Sequence, residues 1–286
     1  MDLLVAASLS VLGAGYLAAL GRVWRDGRGR VVPVVAAARF AAGWLVSAIA
    51  LVSPLHLVVE ERLAAHMVQH VLLTAVAAPL LASGAPLPAM LQLLPRAAVG
   101  PALAGWWSLV RALRARAAAV VAVGVGGHAA VQAGWHLPLL YNTADRVEAV
   151  HAAEHLTMTG AAVVAWWTVL VLPRRRHGGF VLLALLGQSF VSIAIGAALV
   201  LSARPVSAGY LDQPDPLADQ QLAGVVMWAF GGIAGVVGAV TVLTRWLAGL
   251  ERNDQRRSGR AVTLPRPTPP GPADAPRRRD RGTACT

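Results

Sequence analysis

Seven stretches of this chain are each long and apolar enough to cross a lipid bilayer: residues 3–21, 38–59, 62–83, 117–137, 148–172, 179–202 and 220–246. A spanning helix needs about 20 mostly apolar residues, because in hydrocarbon its backbone amides can bond only to one another. Composition agrees. Of 286 residues, 56% are hydrophobic and only 14% are charged, and the mean hydropathy is +0.58. That is too apolar for a soluble domain. Strand-like alternation is absent, which disfavours a β-barrel. The expected fold is all-α: a polytopic membrane protein built as a seven-transmembrane-helix bundle.

The basic residues set an orientation. All 25 are arginine. Arg22, Arg25, Arg28, Arg30 and Arg39 follow the first span, Arg96, Arg111, Arg114 and Arg116 separate the third and fourth, and Arg174, Arg175 and Arg176 separate the fifth and sixth. Ten more run from Arg245 to Arg281, and only Arg62, Arg146 and Arg204 fall on the other side. Basic loops stay in the cytoplasm. The N-terminus is therefore expected outside and the C-terminus in the cytoplasm, with the first span a retained helix, not a cleaved signal. The net charge of +11 then belongs mostly to the cytoplasmic face, where it attracts anionic lipid, and nucleic-acid binding is disfavoured. Two regions are expected: a membrane domain over 1–250 and a disordered Arg/Pro-rich cytoplasmic tail over 251–286. Between the third and fourth spans, Pro86, Pro88, Pro95 and Pro101 break up a connection whose Trp106, Trp107, Arg111 and Arg114 suggest an interfacial helix. Pro79 is expected to kink the third span. Gly231 and Gly235 form a GxxxG suited to close helix packing. The single cysteine, Cys285, allows neither a disulfide framework nor a multi-thiolate site.

Chemistry concentrates in the histidines. His66-Met67-Val68-Gln69-His70 and His151-Ala152-Ala153-Glu154-His155 both read H-x-x-[QE]-H, and residues four apart share one helix face. With the third and fifth spans running inward, both pairs lie near the outer surface. The fourth span runs outward and brings His128, Gln132 and His136 toward that side. His56 and Asp219-Gln220-Gln221 belong to it as well, whereas His177 is cytoplasmic. An isolated histidine near a helix end is commonly an interfacial hydrogen-bonding residue. Repetition of the pair at matched depth points instead to a metal site built between facing helices. The candidate ligands are His66, His70, His128, His136, His151, His155, Glu154, Asp219 and Met158, with the carboxylates as direct ligands or as acceptors that orient a ring N–H. Imidazole suits copper, zinc, iron and nickel, and thioether selects Cu(I). Met158, on the His151/His155 face one turn deeper, therefore favours copper. Zinc or iron with an open coordination position would instead make a membrane hydrolase with Glu154 or Asp219 as general base. Paired histidines from the third and fifth spans would equally serve as the axial ligands of a haem. No H-E-x-x-H, G-x-S-x-G, P-loop or dinucleotide fingerprint is present.

The motifs taken together resemble one family. His66–His70 leads through Ala78-Pro79-Leu80-Leu81 to Gly84-Ala85-Pro86. Trp135-His136-Leu137-Pro138-Leu139-Leu140-Tyr141-Asn142, His151–Thr157, Asp219-Gln220-Gln221-Leu222-Ala223-Gly224 and Met227-Trp228 follow. Over residues 35–250 the chain resembles the CtaG family of cytochrome c oxidase assembly factors, the seven-span type associated with caa-type oxidases. The resemblance implies a non-enzymatic assembly protein of the bacterial plasma membrane, a metallochaperone handling copper for haem–copper oxidase on the outer side. Its partners would be oxidase subunits or a periplasmic copper carrier. The family's motifs map onto His66, His70, His136, His151 and His155, with Asp219 and Gln220. Oligomeric state is not legible.

Overall fold

The computed structural model describes residues 2–27, 29–53, 58–59, 61–171 and 177–261. Arg28, His56, Arg174, Arg175, Arg176, Cys285 and the tail from 262 onward lie outside the described residues. The helices are α1 (Asp2–Arg25), α2 (Val34–Val52), α3 (Leu63–Ser83), α4 (Pro86–Met90), α5 (Arg96–Ala115), α6 (Ala117–Trp135), α7 (Pro138–Ala144), α8 (Glu148–Val171), α9 (Gly178–Leu201) and α10 (Pro216–Ala261). The described residues contain no strand. The chain divides into two units, 1–247 and 248–286; the described part of the second is helix.

Among the described residues, six helices, α1, α2, α3, α6, α9 and α10, are long and apolar enough to cross a membrane, which makes this a multi-pass membrane protein. Helix α8 has 24 residues but is not one of the six. Glu148, His151, Glu154 and His155 fall in its first half and lower its hydropathy. Helix α2 stops at Val52, earlier than the apolar run, because Pro54 follows and the residue before a proline avoids helical geometry. The connection before α6 is more ordered than its four prolines suggest. Pro86 opens α4 with Pro88 in its first turn, Pro95 sits at the N-cap of α5, and Pro101 falls inside the longer helix α5.

Pro79 acts on α3 by a specific route. Its ring clashes with the carbonyl four residues back, and the helix answers with a π-turn at Leu72–Ala77. In that wider register the Ala78 N–H bonds to Leu73 O. The next donor in line, for Thr74 O, would be residue 79, which has no N–H. Trp166 of α8 fills the gap, its Nε1 donating to Thr74 O at 3.0 Å. Just above the π-turn, Thr74 Oγ1 donates to His70 O at 2.7 Å.

Close packing depends on small residues. A Cβ at Gly196 would lie 2.6 Å from Gly224 O, and one at Gly224 would lie 2.5 Å from Gly196 O, so α9 and α10 touch backbone to backbone. The expected GxxxG works at the same interface, with Gly231 against Ser192 and Gly235 against Ser189. Helix α8 packs on α6 and on the C-terminal half of α3, a half that α2 also contacts. At the other end of the same two helices the H-x-x-[QE]-H segments of α3 and α8 meet ring to ring.

Candidate metal centre

His66 and His70 project from the first turns of α3, and His151 and His155 from the first turns of α8. Each pair closes on itself. His66 Nε2 and His70 Nε2 are 2.9 Å apart, and His151 Nε2 and His155 Nε2 are 2.8 Å apart. The pairs also meet each other, with ring centroids 4.9 Å apart for His70–His155, 5.2 Å for His66–His151 and 5.8 Å for His66–His155. His136 closes the cluster, its ring centroid 6.0 Å from that of His70. Glu154 is completely buried. Its Oε1 stands 3.8 Å from His70 Nε2, and neither oxygen has a hydrogen-bond partner among the described residues. A carboxylate in that position is expensive without a compensating cation or proton.

Hydrogen bonds at the far side of two rings define their tautomers. The Tyr210 O–H donates to Val59 O at 2.9 Å, and burial pushes the phenol well above its ordinary pKa, so that proton is retained. The Tyr210 oxygen can then only accept from His66 Nδ1, 3.1 Å away. A neutral His66 therefore carries its proton on Nδ1 and presents a lone pair at Nε2. His136 is set likewise: Nδ1 faces Gln132 O at 2.8 Å, a carbonyl with no proton to give, and Nε2 is left without a hydrogen-bond partner among the described residues. Metal-ligating histidines are oriented by this kind of outer partner.

The loop between α9 and α10 that supplies Tyr210 is pinned by Asn142, Asp145 and Gln220. Asn142 Oδ1 accepts from Ala208 N at 2.7 Å, Asp145 Oδ2 from Ser207 Oγ at 3.0 Å, and Gln220 Oε1 from Val206 N at 2.7 Å. Gln220 Nε2 donates to Leu199 O at 3.1 Å and to Arg204 O at 3.3 Å. Burial pushes the Asp145 carboxyl above its usual range, against the bonds from Ser207 and the Gly209 backbone.

The remaining sequence candidates lie elsewhere. Asp219 Oδ2 accepts from Leu63 N at 2.6 Å, capping the first amide of α3 from α10. Met158 is buried on α8 beyond His155. Met67 and Met227 pack in an apolar cluster with Leu63, Tyr141, Tyr210 and Ala223. His136, where α6 ends, brings its ring to His70. His128 instead lines a separate cavity of about 60 Å³ deeper in the bundle, with Gln132, Gln188, Ser189 and Ser192. Gln188 Nε2 donates to Gln132 Oε1 at 2.5 Å and Gln132 Nε2 to Ser192 Oγ at 3.0 Å. Sequence reasoning missed Tyr210. A lone aromatic hydroxyl in a turn-rich loop was its only signal.

The donor set can hold a metal. His66, His70 and His155 bring one ligand atom each to within 4.8 Å of one another, as do His66, His151 and Glu154. Nitrogens each about 2.0 Å from one ion stand about 2.8 Å apart at a right angle and about 3.3 Å apart in a tetrahedron. The observed spacings within the pairs suit such an ion as well as a shared proton.

Helical spans enclosing a buried imidazole–carboxylate cluster near one end define a polytopic membrane protein with a candidate intramembrane metal centre. Residues 14–249 match the family described as cytochrome c oxidase caa3 assembly factor (Caa3_CtaG), and the chain belongs to that family. Neither the curated proteins nor the solved structures contain a match.

Proposed function

We propose that this assembly factor binds copper in the His66/His70/His151/His155 cluster and supports its delivery to the metal centres of cytochrome c oxidase. The observation that carries the reading is the convergence of two chelating histidine pairs from separate helices, with His66 set by Tyr210 to offer Nε2. An all-imidazole and carboxylate site accepts copper readily, and His151, only half-buried, gives the cluster an accessible edge. Family membership supports the oxidase as recipient. A periplasmic copper carrier is the corresponding donor.

In this reading α8 is a seventh span alongside the six more apolar ones. The arginine distribution then puts the N-terminus outside, the C-terminus in the cytoplasm and the cluster in the outer half of a bacterial plasma membrane. Arginines on the inner face meet anionic lipid. The protein is a binding and handover device, not an enzyme. Deleting its gene should lower the copper content of membrane-extracted oxidase. Wild type should restore it, and a folded His66→Ala/His155→Ala variant should not. Normal oxidase copper in the deletion strain would refute the proposal.

A further inference from the structure

We infer that the cluster is a two-position site for a single ion, pivoted on His66, in which the ion exchanges an outer ligand set for an inner one. This rests on the metal-binding reading above and specifies how the site works.

Two ligand groups are present: His66 with His151 and Glu154, and His66 with His70 and His155. His66 belongs to both. Its Nδ1 is committed to Tyr210, so one lone pair remains, at Nε2, and one lone pair serves one ion. The two groups therefore cannot be filled together. They also differ in depth. His151 precedes His155 by one turn on α8 and is only half-buried, whereas His70, His155 and Glu154 are buried. The group containing His151 meets the outside, and the group containing His70 and His155 is enclosed.

The two groups correspond ligand by ligand. His155 Nε2, of the inner group, is 2.8 Å from His151 Nε2, of the outer. His70 Nε2, of the inner group, is 3.8 Å from Glu154 Oε1, of the outer. An ion can thus trade His151 for His155 and Glu154 for His70 while His66 stays bound, and no step leaves it without protein ligands. The outer position offers two imidazoles and a carboxylate, and the inner offers three imidazoles. Both sets suit copper, so an ion that keeps one oxidation state can pass between the accessible and the enclosed position.

The test is copper stoichiometry and affinity of the full-length, detergent-purified protein, with melting temperature and size-exclusion profile as folding controls. Wild type should bind one copper per chain. His70→Ala and His151→Ala should each still bind one, since each spares one group, and His66→Ala should weaken binding more than either. The decisive arm adds Glu154→Gln. It should abolish copper binding in the His70→Ala background, where only the outer group survives, and leave it intact in the His151→Ala background. His155→Ala should behave as His70→Ala does, which keeps the test valid if one inner variant fails to fold. Two coppers per wild-type chain would overturn the inference. So would complete loss of copper in folded His70→Ala and His151→Ala alike, which marks one indivisible four-histidine site. An equal effect of Glu154→Gln in both backgrounds would overturn it too. Each of those outcomes leaves copper binding standing, whereas a wild-type protein that binds none refutes the proposed function itself.

Discussion

Replacing Tyr210 with Phe removes one oxygen and leaves the ring. That oxygen has two roles: it accepts from His66 Nδ1 at 3.1 Å and its proton goes to Val59 O at 2.9 Å. In Tyr210→Phe the His66 ring loses the partner that holds its proton on Nδ1, and it can rotate or shift that proton to Nε2, the metal-facing atom. Loss of such an outer partner costs about 10–100-fold in metal affinity, or about 1.4–2.8 kcal/mol at 1.4 kcal/mol per decade. The abandoned Val59 carbonyl and His66 N–H add about 1–3 kcal/mol of lost fold stability. Copper affinity by chelator competition reads the first effect and thermal unfolding of the metal-free protein reads the second. Ser207→Ala is the control. It removes the bond to Asp145 in the same loop without touching His66, and it should leave copper affinity close to wild type, because the Tyr210 contacts to His66 and Val59 stay in place. Equal copper affinities in Tyr210→Phe and wild type would refute the tautomer argument.

Three further outcomes follow from the same contacts. Asp219→Ala removes the cap on the first amide of α3 and should cost about 0.5–2 kcal/mol of stability with copper stoichiometry unchanged; loss of the copper instead would make Asp219 a ligand. Trp166→Phe leaves Thr74 O with no donor at the π-turn and should cost about 1–3 kcal/mol in thermal unfolding; no destabilisation would mean that another group satisfies that carbonyl. Burial raises the Asp145 carboxyl above its unfolded value, so the native state binds that proton more tightly than the unfolded chain does. Its contribution to stability is complete below the unfolded value near 3.8 and is lost as pH rises through the elevated one. Asp145→Asn should therefore gain on wild type in thermal stability as pH increases across that window, and a constant difference would contradict the shift.

The transmembrane helices were legible because burial in lipid imposes a length and an apolarity that no soluble element shares. Helix α8 shows the limit of that signal, since the residues that build the site are the ones that dilute it. The i, i+4 pairs were legible for a local reason: helix periodicity alone puts His66 over His70 and His151 over His155. Their convergence was not, because it depends on α8 packing against α3, which no local pattern encodes. His136 and His128 show a further limit: both lie toward the same end of α6, yet His136 meets His70 and His128 lines a separate cavity, a division that spacing alone does not reveal. Asp219 read as a ligand type and proved to accept a backbone amide, a use that spacing cannot distinguish. Tyr210 was invisible because its role depends on a loop fixed by Asn142 and Asp145 at the end of α7 and by Gln220 of α10.

The central claim is that two histidine pairs form one copper site. Metal analysis after copper loading tests it most directly, on detergent-purified wild type beside a variant carrying His66→Ala, His70→Ala, His151→Ala and His155→Ala. Copper should stay with wild type through desalting and be lost from the variant, both eluting as folded species. Copper retained equally by both, or by neither, would contradict it.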